Sequence, residues 1–456
     1  MFLNIIRHLL RPFVKIIFRV SVEGPAKGEL IGPNTLIIAN HVSSMDGLFL
    51  FLFLNDTPTF AVTTETAKTS WKRFFLRFVK TIELDPLNPH AIKNVVKQLH
   101  DGGRVLIFPE GKATTSGSLM KIYDGPAMAA TLGDSTILPV GIEGPQYSRF
   151  SLLGQRVRQR WFPKVTITLL EPRKINLGED LQGHERRTKS AAAMLHIMRE
   201  IAYENAFEPV TFYQAVVNAA RRHGPNREII ADSTGANLTY RQLLLRAGVL
   251  AQFISKRTQS QDCVGIMLPS TAAAIVTLTA TQSCGRTTAM MNFTSGTRGL
   301  LIACETAAIK IVVTSRAFVT QAELGAQAAA IEEVAEVIYL EDLRDEVSIA
   351  HKLRAAVSAF LPITTYRMRH KNRDPDGDCV ILFTSGSEGI PKGVVLTHSN
   401  IVANRAQVQT LIALTHEDTV LNVLPIFHAF GLLGGTLIPL FDGAKIYCYP
   451  SPLHYR

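Results

Sequence analysis

The chain has 456 residues, which is too long for one ordinary domain and predicts two or three. Its hydrophobic content of 46% excludes disorder over most of its length. The formal net charge of +10 favours a polyanionic partner without separating nucleic acid from an anionic membrane. The five cysteines form no Cys-x-x-Cys pair and are odd in number, which indicates reduced thiols.

The first twenty residues, MFLNIIRHLLRPFVKIIFRV, predict a basic amphipathic helix. Four cations recur every four residues and would lie along one side of it: Arg7, Arg11, Lys15 and Arg19. Charges interrupt every apolar run, so this segment is neither a spanning helix nor a cleavable signal. We expect residues 1–25 to lie on a membrane surface, with packing against its own domain as the alternative; Pro12 disfavours a straight helix.

Residues 34–170 alternate short β-rich segments, such as TLIIAN and RVLIFPEG, with helical patterns, such as HAIKNVVKQLHDGG. This alternation predicts an α/β domain, which we assign to residues 26–182. The first buried strand runs directly into His41, and Asp46 follows five residues later. His41 therefore follows a strand end, where α/β folds place their chemistry. The alternative is a loop histidine beside a helix-capping aspartate.

A second strand, in VLIFPEGKATTSG at residues 105–117, ends in a turn suited to an anion. Gly111 lets backbone N–H groups approach a phosphate, and Lys112 supplies a positive charge. Lys121 is a further candidate cation. A third strand with a proline, ILPVGIEG, follows at residues 137–144.

NHVSSMDG followed by FPEG and a proline-containing strand resembles the glycerolipid acyltransferase family, over roughly residues 30–150. The resemblance implies that His41 takes the proton from a glycerol hydroxyl, which attacks an acyl thioester, and that Asp46 orients the ring. A carboxylate on one imidazole nitrogen fixes the tautomer and stabilises the imidazolium. The resemblance also implies three residues around the acceptor phosphate: Glu110, Gly111 and Lys112.

Two features depart from that family. Lys112 stands where the family usually has arginine, and lysine cannot make the planar two-pronged contact with a phosphate. The arginine-containing block between the two motifs is matched only loosely, by RFFLRFVKTIELDP, in which Arg77 is the candidate. We therefore expect altered head-group binding and a retained reaction.

A charged helical pattern at residues 183–209 predicts a connector between two domains. Beyond it, Val264–Gly285 and Thr419–Phe441 contain no charged residue and are long enough to be membrane candidates. Both contain turn-forming residues between short apolar runs, which favours buried strands and helices of an α/β domain over a membrane span.

The second half contains ILFTSGSEGIPKGVVLTHSN at residues 381–400, which resembles the phosphate loop of the acyl-adenylate-forming superfamily. Six residues match positions that hold the triphosphate of ATP in that superfamily: Thr384, Ser385, Gly386, Ser387, Gly389 and Lys392. LTYRQLLLRAGVLAQFI (238–254) resembles the start of such a domain, and LPIFHAFG (424–431) resembles the segment whose histidine, here His428, borders the acyl pocket. We assign residues 210–456 to a partial AMP-binding domain.

Within this domain, Glu388 stands where the superfamily commonly has threonine. The family's adenine-contacting block, ribose-binding aspartate and lid lysine have no match before the last residue, so we expect an incomplete adenylating half. ATP and Mg²⁺ are required only if that half is active. A similar segment, FTSGTRGLL at residues 293–301, lacks a following Pro-Lys-Gly and predicts an ordinary strand-to-helix turn.

The fold expected is therefore α/β: a glycerolipid-acyltransferase-like domain followed by an incomplete adenylate-forming domain. This pairing resembles bacterial bifunctional enzymes that join a 2-acylglycerophosphoethanolamine acyltransferase to an acyl-[acyl carrier protein] synthetase. The resemblance implies an acyl carrier protein or coenzyme A thioester as donor, a lysophospholipid as acceptor, and the cytoplasmic face of a bacterial inner membrane. We expect no nucleic-acid partner, because the basic residues are dispersed. The alternative is a non-catalytic peripheral membrane protein with both domains decayed.

Overall fold

The computed structural model describes residues 2–27, 31–63, 79–84, 89–178, 181–369, 374–385 and 391–450. The chain divides into two compact units. The first comprises Met1–Phe207 with Ala406–Ala413, and the second comprises Glu208–Arg405 with Leu414–Arg456. Both contain mixed strands and helices, which confirms the predicted α/β class.

The described residues of the first unit form a sheet of seven strands in the order β1-β7-β6-β2-β5-β3-β4. All neighbouring pairs are parallel except β6 and β7. The strands are β1 (Ser21–Glu23), β2 (Thr35–Ala39), β3 (Thr59–Thr63), β4 (Thr81–Leu84), β5 (Arg104–Ile107), β6 (Thr136–Glu143) and β7 (Thr166–Leu169). The helices are α1 (Phe2–Ile17), α2 (Asp46–Phe53), α3 (Pro89–His100), α4 (Asp124–Leu132) and α5 (Gly183–Ala206). Short 3₁₀ turns lie at Pro145–Tyr147 and Gly154–Arg156.

Strand β2 lies between β5 and β6 and is buried at every residue. Its side chains alternate between two apolar clusters, as the two-residue period of a strand requires. Ile37 and Ala39 join a cluster that contains the aromatic and aliphatic side chains of α2. Leu36 and Ile38 join the cluster on the other face, to which α3, α4 and α5 contribute. Burial of both faces explains why the strand is an unbroken apolar run.

Helix α5 covers most of the segment predicted to connect the domains, but it packs into the first unit. Four of its side chains are buried in the cluster on the α3 side of the sheet: Met194, Ile197, Met198 and Ile201. Arg173 forms two 2.7 Å hydrogen bonds with the Glu200 carboxylate. The charged residues therefore cover one side of a helix whose other side completes the core.

Helix α1 continues through Pro12, although that residue cannot donate a backbone hydrogen bond. One of its cations faces the domain, since Arg7 is 9% exposed and its Nε donates to the Leu52 carbonyl at 3.3 Å. The Arg11 guanidinium lies 5.7 Å from the centre of the Phe53 ring. Four large apolar side chains are exposed instead: Leu9, Leu10, Phe13 and Ile16.

In the second unit, the described strands form two sheets. One has the order β13-β12-β10-β11-β14-β15, in which only β14 and β15 pair antiparallel. The other has the order β16-β17-β8-β9. The strands are β8 (Glu228–Asp232), β9 (Asn237–Thr239), β10 (Cys263–Ile266), β11 (Thr287–Met290), β12 (Ile309–Thr314), β13 (Glu336–Tyr339), β14 (Asp378–Ser385), β15 (Pro391–Thr397), β16 (Thr419–Asn422) and β17 (Lys445–Cys448).

The helices that follow Glu208 connect these strands or pack beside them. They are α6 (Phe212–His223), α7 (Tyr240–Arg257), α8 (Ala272–Ser283), α9 (Gly296–Thr306), α10 (Arg316–Gln321), α11 (Gly325–Glu332), α12 (Leu340–Glu346), α13 (Ile349–Phe360), α14 (Pro362–Arg369), α15 (His398–Gln409), α16 (Ala429–Leu432) and α17 (Ile438–Asp442). A π-helical turn at Leu433–Leu437 joins the last two.

The two uncharged stretches form strands and helices of the second unit, as predicted, but only the first is buried over most of its length, since Leu421 and Phe430 of the second are 61% and 73% exposed. Val264–Gly285 contains most of β10 and all of α8, and Thr419–Phe441 contains β16 and the helical segments that end at Asp442. No helix in the described parts of the chain is long and apolar enough to cross a membrane. The FTSGTRGLL segment is confirmed as a strand-to-helix turn, because it follows β11 and runs into α9, which begins at Gly296.

Two partly buried histidines make the stability of the second unit sensitive to acid. His223 Nδ1 and His416 Nε2 lie 2.9 Å apart in a hydrogen bond, and Arg222, Arg227 and Arg405 lie nearby. Burial and these cations lower the pKa of His223 and lower that of His416 to about 4. The unfolded chain then binds more protons than the folded chain below the ordinary histidine pKa of about 6.5.

We therefore expect the Tm of the second unit to fall as pH decreases from about 6.5 towards 4, the interval between the unfolded and folded pKa values of His416. His416→Gln should flatten this dependence, as measured by thermal unfolding across that interval. His428→Gln, which changes an exposed histidine of the same unit, is the control and should leave the slope unchanged. Equal slopes for His416→Gln and the unmodified chain would contradict the prediction.

Candidate active site

The candidate site of the first unit lies where two neighbouring parallel strands end. His41 follows β2 by two residues, and Phe108 directly follows β5. Because β2 and β5 are adjacent and parallel, their carboxyl ends meet at one edge of the sheet. The histidine motif and the Phe-Pro-Glu-Gly motif therefore contact each other, although 60 to 70 residues separate them along the chain.

His41 is hydrogen-bonded to Asp46, with 2.8 Å between Nδ1 and Oδ2. The same carboxylate oxygen accepts the backbone N–H of Val42 at 2.6 Å and of Ser43 at 2.8 Å. The Asp46 side chain is fully buried, whereas that of His41 is 18% exposed. These three donors all bind Oδ2, where they partly compensate for the desolvation of the carboxylate and hold residues 42–46 in a loop around it. The buried Oδ1 has no hydrogen-bond partner among the described residues.

Glu110 joins the two motifs through the backbone. Its Oε1 accepts the N–H of His41 at 2.8 Å, and its Oε2 accepts the N–H of Met120 at 2.9 Å. The residue is 3% exposed, and burial raises the pKa of its carboxyl, an effect that these two N–H groups oppose. Both Glu110 oxygens are thus engaged beneath the turn that was predicted to border a phosphate.

Gly111 is required by the geometry of that turn. Its φ is +69°, and its N–H donates to the Phe108 carbonyl at 3.0 Å. A Cβ at this position would lie 3.0 Å from the Tyr123 ring and would have a strained backbone. Lys112 follows on the same turn and is exposed. Of the three residues predicted around an acceptor phosphate, Gly111 and Lys112 are the more accessible.

Two supporting residues were not identified from the sequence. The Phe108 ring stacks on the His41 ring with 4.3 Å between centroids. The Asn40 side chain binds both backbone groups of Ile142, accepting its N–H at 2.8 Å and donating to its carbonyl at 3.0 Å. Both residues belong to the quoted motifs. The sequence could not predict their contacts, because these depend on the packing of β2 against β5 and β6.

The geometry can support base catalysis. An aspartate carboxylate on Nδ1 requires the proton on that nitrogen, which leaves Nε2 with a lone pair. No group among the described residues hydrogen-bonds His41 Nε2. An imidazole held in this tautomer and partly exposed can accept a proton from a bound hydroxyl.

The second unit brings together two of the six residues predicted to hold the triphosphate. Thr384 on β14 and Lys392 on β15 are directly opposite in the antiparallel pair, and both are exposed. A hydroxyl and an ammonium side by side suit a phosphate. Ser385 is the last residue of β14. Five residues named from the sequence lie outside the described residues: Arg77, Gly386, Ser387, Glu388 and Gly389.

His428 lies immediately before α16 and is exposed in the second unit. Its ring contacts Phe427, with 4.6 Å between centroids. Its role beside an acyl pocket stays a prediction.

We predict that Glu110→Gln destabilises the first unit. An amide offers one acceptor oxygen, so its NH₂ group would face the N–H of either His41 or Met120. A buried donor without an acceptor costs about 1–3 kcal/mol of unfolding free energy. Denaturant unfolding should detect this loss, and the exposed Glu171→Gln is the matched control. Equal unfolding free energies for the two variants would contradict the assigned contacts.

Comparison with known proteins matches each unit to a family. A family model described as acyltransferase matches residues 19–143. A model described as AMP-binding enzyme matches residues 216–456. The first match includes the site around His41, and the second includes the β14–β15 pair.

Similar proteins include ligases that act on fatty acids. The chain is 26% identical over 228 residues to a medium-chain fatty-acid–CoA ligase of Escherichia coli, with coverage of 48% of this chain and 39% of that protein. It is 29% identical over 248 residues to the medium-chain-fatty-acid–[acyl-carrier-protein] ligase TtuA of Teredinibacter turnerae, with coverage of 48% and 37%. The chain thus spans less than half the length of these two relatives.

Solved structures also align with part of the chain. VinN with 3-methylaspartate aligns with a TM-score of 0.43 at 18% identity, covering 52% of this chain and 61% of that one. Apo MatB from Rhodopseudomonas palustris aligns with a TM-score of 0.41 at 24% identity, covering 53% and 45%. Because the AMP-binding model covers more than half of its residues, the chain belongs to the family of AMP-binding enzymes, with an acyltransferase domain preceding the AMP-binding domain.

Proposed function

We propose that the first unit transfers an acyl group from a thioester to the free hydroxyl of a lysophospholipid. The observation that supports this most directly is the buried Asp46 carboxylate on His41 Nδ1, which leaves Nε2 available as a base. The acyltransferase match over residues 19–143 contains both side chains.

The step needs no covalent intermediate on the protein, because a thioester is already activated. His41 Nε2 accepts the hydroxyl proton while the hydroxyl oxygen attacks the thioester carbonyl. A C–O bond forms, the C–S bond breaks, and the thiolate takes the proton from the imidazolium. Asp46 stabilises the imidazolium during this transfer, as a buried carboxylate on the second ring nitrogen does.

We assign the acceptor phosphate to the turn that contains Gly111 and Lys112. A lysine binds phosphate as a point charge and does not impose planar two-pronged geometry. Both oxygens of Glu110 accept backbone N–H groups. Glu110 would therefore contribute to phosphate binding only indirectly, by holding this turn in place. The acceptor that follows from the resemblance is 2-acylglycerophosphoethanolamine, with acyl carrier protein or coenzyme A carrying the acyl group.

Only if its adenylating half is active would the second unit supply the thioester itself, by activating a fatty acid with ATP and Mg²⁺. Its AMP-binding match and its similarity to fatty-acid ligases support this assignment. Thr384 and Lys392 would contact the phosphates of ATP from opposite strands. We propose that the protein works at the cytoplasmic face of a bacterial inner membrane, where lysophospholipid and acyl thioester meet.

His41→Ala should abolish transfer in a purified protein given acyl thioester and lysophosphatidylethanolamine. Loss of a positioned base lowers the rate by about 10²–10⁴-fold. Diacyl product can be followed by chromatography of labelled lipid. His100→Ala is the matched control, because His100 is an exposed histidine of the same unit.

Equal rates in His41→Ala and the unmodified protein would exclude the proposed base. Vesicle binding without transferase activity in the unmodified protein would instead favour a non-catalytic peripheral membrane protein.

Phe13→Asp with Ile16→Asp should weaken binding to anionic vesicles, because both side chains are exposed on α1, a helix that contains basic residues and no acidic ones. We expect the partition coefficient in co-sedimentation to fall by about tenfold or more, since charged residues oppose entry into the lipid interface. Leu132→Asp places the same charge on an exposed leucine of α4 and should have little effect. Equal partitioning of the two proteins would count against α1 as a membrane contact.

A further inference from the structure

Helix α13 packs through its small residues and exposes its large apolar ones. Ala355 and Ser358 are buried, and a Cβ added to Gly248 of α7 would lie 3.4 Å from the Cβ of Ala355. Six large apolar side chains of α13 and the segment that follows are 48–85% exposed: Ile349, Leu353, Val357, Phe360, Leu361 and Met368. A helix that belonged only to its own core would have the reverse arrangement.

Four of these side chains form one stripe, which we call the α13 stripe: Ile349, Leu353, Val357 and Phe360. At 3.6 residues per turn they lie within an arc of about 80°. Ala355 and Ser358 fall on the opposite side of the helix, and Lys352 and Arg354 lie at the two edges of the stripe. Scattered exposed apolar residues are ordinary, but a continuous stripe indicates a binding surface.

The charged residues within α13 and the segment that follows it have one sign. The last acidic residue of α12 is Glu346, and no acidic residue occurs between residues 347 and 369. Four cations fall in the same interval: Lys352, Arg354, Arg367 and Arg369. Exposed apolar side chains edged by lysine and arginine are the pattern of a helix that lies in the interface of an anionic bilayer.

We propose that the α13 stripe docks on an anionic lipid surface, so that the AMP-binding unit has a membrane contact of its own. A second copy of the chain fits the stripe less well, because a two-fold contact would bring the cations at its edges against the same cations of the partner. An anionic lipid surface instead accepts the apolar side chains and neutralises both edges.

The α13 stripe can be tested with a fluorophore placed within it. All five native cysteines are buried, so a surface cysteine can be labelled selectively. The full chain with Val357→Cys, labelled with nitrobenzoxadiazole, is mixed with phosphatidylcholine vesicles that contain about 30% phosphatidylglycerol. We expect a blue shift and a several-fold rise in emission. The same label on Val334→Cys, which is 58% exposed in the same unit, should not respond.

The second part of the experiment tests whether vesicle binding depends on the cations beside the α13 stripe. In the labelled Val357→Cys chain, Lys352→Gln with Arg354→Gln should raise the lipid concentration for half-maximal emission by about tenfold. Arg241→Gln with Arg246→Gln removes two exposed cations of α7 and should leave that concentration within about twofold. Vesicles of phosphatidylcholine alone should give a much weaker response.

Three results would overturn the proposal. In the first, the emission of the label at position 357 does not change although the protein co-sediments with vesicles. This result would assign membrane binding to another surface, such as α1. A response that needs no vesicles and grows with protein concentration would assign the stripe to a second copy. A response to an acidic polypeptide but not to anionic vesicles would assign it to an acidic protein.

Discussion

The candidate site depends on the burial of the Asp46 carboxylate. A fully buried carboxylate needs hydrogen-bond donors, and here the backbone of Val42 and Ser43 and the ring of His41 provide three, all to Oδ2. The same bonds fold the loop, start α2 and orient the imidazole. These features are coupled, because a loop that released any of the donors would leave a buried charge undercompensated.

A second buried carboxylate, that of Glu110, performs a different task. Asp46 accepts from the His41 ring and from two adjacent backbone N–H groups, whereas Glu110 accepts the backbone N–H groups of two separate segments, at His41 and Met120. The ends of β2 and β5 are thereby joined at the edge of the sheet where α/β folds place their ligands. Phe108 stacking on His41 completes the contact. We infer that the Phe-Pro-Glu-Gly motif positions His41 in addition to forming the turn proposed for a phosphate.

Both units also contain a helix whose large apolar residues face outward. In α1 the buried positions include a cation, Arg7, and in α13 they are the small residues Ala355 and Ser358. The hydrophobic effect does not favour leaving such side chains in water. Each of the two helices contains basic residues and no acidic ones. We infer that an anionic membrane interface suits these apolar and basic side chains best.

The sequence by itself determined the α/β class, the strand ends and the spacing of His41, Asp46 and Gly111. Such features follow from local periodicity and turn chemistry, which a short window contains. Tertiary structure alone decided the backbone contacts of Glu110, the burial of Arg7 and the packing of α5 into the first unit. Burial depends on which distant elements pack together, so helices with similar patterns can face a core or face outward.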